Sequence, residues 1–240
     1  MTTLRAAVPV SSGRAWESPY DKAVPIVELA FRQARFAALL TEHGIPTPRT
    51  VLPDEIDQAP DRPLVVKPRY GQGAKDVHFC RTREQARVLC ELMPHPLVQQ
   101  RVKGRESTAD YLVDRSGPAS VVLRHRLVVK GGLALVSATF HDPQVEQHVR
   151  AVLTATGLVG VCCVQGFLRP DGPQHVVLTE ANARVAGGFA AVQAAGADLI
   201  EQFLRGLFRQ PVDHNRLQYK PNVCLAKYHE TLAISERTWP

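Results

Sequence analysis

Glu180, Asn182 and Arg184 occupy every second position of "TEANARVAGG", a segment that follows the apolar run "HVVL" and ends in Gly187 and Gly188. On an extended strand, residues two apart share a face, so a carboxylate, a carboxamide and a guanidinium point together. Ala181 and Ala183, with Leu178 before them, are expected to face a core. One strand earlier, beyond a "DGP" turn, Gln165 interrupts "VCCVQGFL", a run otherwise suited to burial. An antiparallel partner brings Gln165 beside the same face. The donor set is then one carboxylate and two carboxamides, with a cation just beyond. Magnesium takes oxygen ligands and is commonly shared between one or two carboxylates and nucleotide phosphates. Arg184 has the planar fork that holds a phosphoryl or carboxylate oxygen. The other reading of this alternation is an exposed polar strand face. Spacing alone leaves both open.

A second constellation lies in "VVKPRYGQGAKDV", where Lys67 ends a strand and a loop through Gly71 and Gly73 follows. Backbone amides of such a loop approach phosphate closely because glycine has no side chain. The segment lacks the GK[ST] ending and following helix of a Walker A loop. By itself it reads as a turn; with a strand-borne lysine and a downstream acid cluster it reads as a phosphate lid. In "LVQQRVKGRES", backbone groups of Gln99, Gln100 and on to Val102 are placed to hold an adenine, and Glu106 to accept from ribose hydroxyls. An amphipathic strand with solvated charges is the alternative. Arg124 and Arg126 share a face of "SVVLRHRLVVK". At least one is expected to face a cleft and bind a substrate carboxylate, unless the face is simply solvated.

These residues need elements to carry them. Residues 1–20 are irregular. From Asp21 to His43 apolar residues recur three or four apart, which predicts a helix ending at Gly44 and "GIPTP". "LVVKP" and "VHFC" read as strands, and "TREQARVLCELM" as a helix with Thr82 as N-cap and Gln85 completing a capping box. Two long strands precede a helix over 142–156 with Val145, Val149, Val152, Leu153 and Thr156 on one side. Two more strands follow. A last helix from Asp198 is expected to bury Leu199, Phe203 and Leu207, and "NVCLAKYHE" reads as a closing strand. Antiparallel strands with interleaved helices indicate an α+β fold.

Composition narrows the function classes. The chain has 240 residues, 45% of them hydrophobic and 22% charged, as in ordinary soluble globular proteins. No apolar run approaches the roughly 20 residues that cross a bilayer. The N-terminal segment has no continuous apolar stretch of the secretory kind. Five cysteines without CxxC spacing fit reduced, buried thiols in a cytoplasmic protein. The net charge of +6 comes from scattered, mostly arginine residues, with no aromatic–basic alternation. That pattern favours a positive cleft for a small charged ligand over nucleic acid.

The ordered set "DK", "GIPTP", "VVKPRYGQGA", "VQQRVKGRE", "VQGFL" and "EANARVAGG" resembles the ATP-grasp superfamily, most closely its carbamoyl-phosphate synthase large-chain branch, from about Asp21 to about Phe208. The resemblance implies two α+β lobes enclosing ATP, a small lobe over 21–98 and a large lobe over 99–240, after an arm at 1–20. It implies Lys22 and Lys67 at the phosphates, Gln99 to Val102 at the adenine and Glu106 at the ribose. Gln165, Glu180 and Asn182 would hold magnesium or manganese, and Arg184 would meet the transferred phosphoryl group. The activity implied is ligation of a small carboxylate to an amine through an acyl phosphate. A small-molecule kinase and a non-catalytic ATP-binding subunit are the alternatives. Family members normally carry a further α/β domain before the "DK" point, where this sequence has about twenty residues. Self-association as a dimer, or a partner subunit, is therefore expected to complete the cleft. Within the lid, Ala74 and Asp76 stand where the family often has serine and glycine.

Overall fold

Alternating apolar and polar residues build two antiparallel sheets in the computed structural model, which describes residues 33–70, 74–117, 119–170 and 175–228. The arm at 1–20, Lys22, Gly71 and Gly73 lie outside the described residues. No helix among those described is long and apolar enough to cross a membrane.

The smaller sheet has the order β1 (Thr50–Val51), β4 (Pro96–Gln100), β2 (Leu64–Pro68), β3 (His78–Cys80). Val51, Leu64, Val66, Cys80 and Val98 form its dry side, packed against Ala86 of helix α2 (Arg83–Leu92) and Ile56 of a 3₁₀ turn. Thr82 caps α2, its hydroxyl accepting from the Gln85 amide at 3.3 Å. The Gln85 side chain reaches back to the Arg81 amide at 2.8 Å, one residue beyond the cap residue of the expected box.

The larger sheet has the order β10 (Cys224–Ala226), β7 (Leu133–Phe140), β6 (Ala119–Lys130), β5 (Arg105–Val113), β8 (Gly160–Leu168), β9 (Val176–Asn182). One face is largely apolar: Tyr111, Leu123, Cys162, Val164 and Leu178 meet α3 (Pro143–Thr156) and α1 (Gln33–Glu42). Helix α3 buries Val145, Val149, Val152, Leu153 and Thr156, and it ends at Gly157, whose φ of 64° suits a residue without Cβ. Helix α1 precedes the small sheet in sequence. Yet Phe36 and Leu40 pack into the large-sheet core, so packing divides the chain differently from a boundary at residue 98.

The other face of the large sheet is covered at one end only. There Leu112, Val122 and Val161 meet Val192 of α4 (Ala190–Ala194) and Leu199 of α5 (Leu199–Leu207). The expected inward set of α5 needs one correction, since Leu207 is exposed. The inward stripe runs Leu199, Gln202, Phe203, Gly206, and Gln202 is held there by bonds to the Asp213 amide and the Asp198 carboxylate. Position 207 rotates outward. All five cysteines are free thiols. Burial pushes the Cys162 and Cys163 thiols up to about 11 and 12, which suits inert core residues.

His175 ties the β8–β9 connection to the start of α3. Its ring nitrogens bond the Arg169 carbonyl at 3.0 Å and the Asp142 carboxylate at 2.9 Å, while Asp142 caps α3 through the amides of Gln144 and Val145. The bond to Asp142, then that to Arg169, holds the His175 imidazolium above its ordinary value of 6.5. Burial opposes charge on Asp142, but the Val145 amide, His175 and the Gln144 amide hold its carboxyl below its ordinary 3.8. A raised histidine stabilises fully below its unfolded value, and its contribution is lost as pH rises through the folded value. A depressed aspartate stabilises above its unfolded value and loses its effect as pH falls through the folded one. His175→Gln should therefore lower the urea midpoint most at about pH 5.5 and progressively less toward about pH 8.5. Equal midpoint differences at both ends would mean that the ring acts by packing.

Candidate functional site

Between the uncovered end of the large sheet and the open side of the small one lies a cavity of about 350 Å³. Cross-strand register aligns the residues of this sheet face, part of which forms the cavity floor. Thr139, Arg124, Thr108, Gln165 and Glu180 stand opposite one another along five neighbouring strands, and Asp110, Cys163 and Asn182 form the next row. Directly opposed residues in antiparallel ladders share a face. Gln165, Glu180 and Asn182 thus converge on the cavity they line.

Strict alternation along β9 would put Leu178 on the same face as Glu180. Gln165 pairs with Glu180 but Gly166 with Leu178, so Thr179 is an extra residue that forms a bulge. Leu178 and Ala181 therefore both join the apolar core. The Thr179 hydroxyl closes the bulge by donating to the Gln165 carbonyl at 3.2 Å. A Cβ at Gly166 would lie 2.4 Å from the Val177 carbonyl oxygen, so only glycine allows this approach.

The small sheet contributes Lys67, half-buried at the end of β2. Burial lowers its pKa, and the facing Glu180 carboxylate works in the opposite direction. The connection from β4 to β5 lines the cavity at Gln99, Gln100, Arg101 and Val102. The amides of Gln100 and Arg101 are taken by the carbonyls of Arg49 and Pro63, and the Gln99 side chain donates to the Thr50 hydroxyl at 2.9 Å. Among the described residues the Val102 amide has no such backbone acceptor. Glu106, the second residue of β5, is exposed enough to be reached from solvent, with its carboxylate 3.4 Å from Arg126 Nε. Arg184 lines the cavity and its guanidinium donates to the Val185 carbonyl at 3.2 Å.

Arg126 lines the cavity, but Arg124 does not. The expectation that Arg124 is available to a substrate carboxylate is corrected: its Nε donates to Asp110 Oδ2 at 2.6 Å, and both side chains are 3% exposed or less. The loop after β9 seals them in. A Cβ on Gly188 would fall 2.4–2.8 Å from three guanidinium atoms of Arg124. The loop backbone thus rests directly on that charge.

Ala74 and Asp76, beside the lid glycines, both adopt φ of 55°, the left-handed region that favours glycine. Val77 just before β3, Phe79 within it and Phe167 of the large sheet give the cavity an apolar wall that motif reasoning missed. The signal was present in the sequence, because Val77 and Phe79 alternate in phase as Val65 and Lys67 do. Arg101 lies 4.5 Å above the Phe79 ring.

Gln165, Glu180 and Asn182 form an all-oxygen donor set with a single carboxylate. Glu180 accepts only from the Asn182 amide, at 3.2 Å, among the described residues, leaving lone pairs toward the cavity. No group of three or more His, Cys, Asp and Glu side chains gathers among the described residues. The set fits magnesium or manganese whose remaining ligands come from phosphate oxygens, rather than an ion held by protein alone.

A model of the ATP-grasp domain matches residues 33–188, more than half of the chain, and the protein belongs to this family. Its structure is similar to an L-amino acid ligase from Bacillus licheniformis, with TM-score 0.65 and 18% identity, over 82% of this chain and 52% of that one. Biotin carboxylase from Campylobacter jejuni gives TM-score 0.69 and 12% identity, over 84% and 51% of the two chains. N5-carboxyaminoimidazole ribonucleotide synthetase from Thermus thermophilus gives 0.62 and 20%, over 81% and 56%. At these identities the likeness is one of fold, and this chain spans about half the length of each relative. By sequence, no curated protein matches it.

The two glycines of "AGG" separate experimentally. Gly188→Ala should destabilise by about 1–3 kcal/mol, because its methyl meets a guanidinium that is buried and ion-paired. At Gly187 the added Cβ meets only Leu133 Cδ2 at 3.6 Å, an ordinary contact, so Gly187→Ala should fall within about 0.5 kcal/mol of wild type. Denaturant titration of the two variants checks this, and equal losses would show that Arg124 does not seat the loop.

Proposed function

We propose that this chain is the ATP-binding module of a ligase that joins a small carboxylate, of amino-acid or peptide-like kind, to an amine. The observation that carries the proposal is the oxygen row of Gln165, Glu180 and Asn182 facing Lys67 across one cavity. Five cations, Lys67, Lys75, Arg101, Arg126 and Arg184, share that cavity with two carboxylates, Glu106 and Glu180. This balance suits a polyanionic nucleotide with its metal.

In this reading Val102 offers its amide to the adenine, Val77, Phe79 and Phe167 exclude water from the base, and Glu106 accepts from ribose hydroxyls. Lys67 neutralises phosphate charge, and the phosphates in turn favour its charged form against the burial that disfavours it. Gln165, Glu180 and Asn182 hold magnesium, which when bound supplies charge neutralisation for in-line transfer. The substrate carboxylate attacks the γ-phosphorus, an acyl phosphate forms and ADP leaves. The amine nitrogen then adds to the acyl carbon, loses a proton, and expels phosphate. Arg184 stabilises the negative oxygens in both steps. No side-chain nucleophile is needed. The proposal includes a cytoplasmic setting and self-association; light scattering with ATP and magnesium should give a dimer mass, and a monomer would remove that element.

Purified protein with ATP and magnesium should release ADP only when given a productive carboxylate and amine from mixed pools, with a new amide detected by mass. ADP release with a phosphorylated product and no amine requirement would instead indicate a kinase. Glu180→Gln should reduce turnover by about a hundredfold or more while leaving the melting curve in place. Near-normal turnover would take Glu180 out of the site.

A further inference from the structure

Arg126 is held more firmly than any other cation lining the cavity. Its Nη1 donates to Gln165 Oε1, its Nη2 to the Gly132 carbonyl of the β6–β7 turn at 2.7 Å, and its Nε lies 3.4 Å from Glu106 Oε2. The side chain is 9% exposed, whereas Glu106 remains 40% exposed and open to a ligand. Two of its three partners are therefore the groups assigned above to ribose and to metal. A guanidinium bonded to Gln165 stands within a few ångströms of any dication that the same oxygen ligates, and like charges repel strongly in a half-buried cleft. The metal and Arg126 compete for one oxygen, and the ribose and Arg126 for one carboxylate.

We propose that Arg126 is a positioning residue that couples nucleotide and metal binding: whichever ligand arrives first removes one of its anchors and so eases the entry of the second. The inference rests on the nucleotide and metal reading above. The third anchor persists, because the Gly132 carbonyl belongs to a turn that neither ligand claims. The released guanidinium stays tethered at the cavity wall with its fork free, the right donor for a carboxylate. Coupling of this kind is reciprocal, so metal must tighten nucleoside binding by the same factor.

The test needs a probe that occupies Glu106 without chelating metal, and adenosine has ribose hydroxyls but no phosphate. Manganese would be titrated by its electron paramagnetic resonance signal, with and without saturating adenosine. In wild type, adenosine should tighten manganese binding about fivefold or more. Arg126→Met should bind manganese more tightly than wild type without adenosine, and adenosine should add nothing. Glu106→Gln weakens the same anchor from its other side and should reproduce the tighter manganese binding. Absence of an adenosine effect in wild type, or an equal effect in Arg126→Met, would overturn the proposal. Manganese with ADP separates this from failure of the underlying reading. If that complex forms in wild type and is lost in Glu180→Gln, the metal site stands and only the coupling falls. If it does not form, both fall.

Discussion

Two opposite charges buried under a glycine organise the functional half of the large sheet. Arg124 and Asp110 lie on the same face as Gln165 and Glu180, yet water does not reach them because the loop through Gly188 covers the guanidinium. Desolvating such a pair is unfavourable, and removing one partner would leave the other buried and unpaired, a change of about 3–5 kcal/mol. The short bond between them and the added contact of Arg124 with Ser137 at 3.5 Å offset part of that penalty. The pair marks where the dry cover of the face ends. It also seats the backbone that continues from Arg184, so position and exposure of that arginine follow from a charge it never touches.

The chemistry is divided between two sheets that have separate cores. Lys67 comes from one and Glu180 from the other, and the Glu180 carboxylate favours the charged form of Lys67 against the burial that disfavours it. Residues 101–104 link the sheets directly. At Gly104 a Cβ would stand 2.5 Å from the Leu168 carbonyl oxygen, so the chain enters β5 pressed against β8. The large-sheet end of the link is thereby anchored, and any relative motion of the sheets has to be absorbed on the other side of Gly104.

Local pattern revealed the strands, the helix over 142–156 and the proximity of Gln165 to Glu180, because each depends on period and on a short turn. What stayed hidden depends on distant neighbours. Arg124 and Arg126 are indistinguishable by alternation; a loop sixty residues later buries one and leaves the other in the cavity. The attachment of α1 to the large sheet could not be read from its own amphipathic stripe, which specifies a face but not a partner. Gln202 displaced Leu207 from the inward side of α5 because its amide satisfies buried backbone and carboxylate groups that leucine cannot.

The bulge at Thr179 shows how β9 serves two masters with one short strand. Its first half keeps time with the apolar core through Val176 and Leu178, its second through Ala181, and the two halves beat half a cycle apart. A strand of unbroken rhythm would have to choose between a sealed core before the turn and an acidic edge after it. One residue of slack removes the choice, and Gly166 across the ladder is what makes the slack physically possible. The alignment of Glu180 with Gln165 is therefore a matter of counting as much as of chemistry: it belongs to the length of the strand, and no property of either side chain alone would supply it.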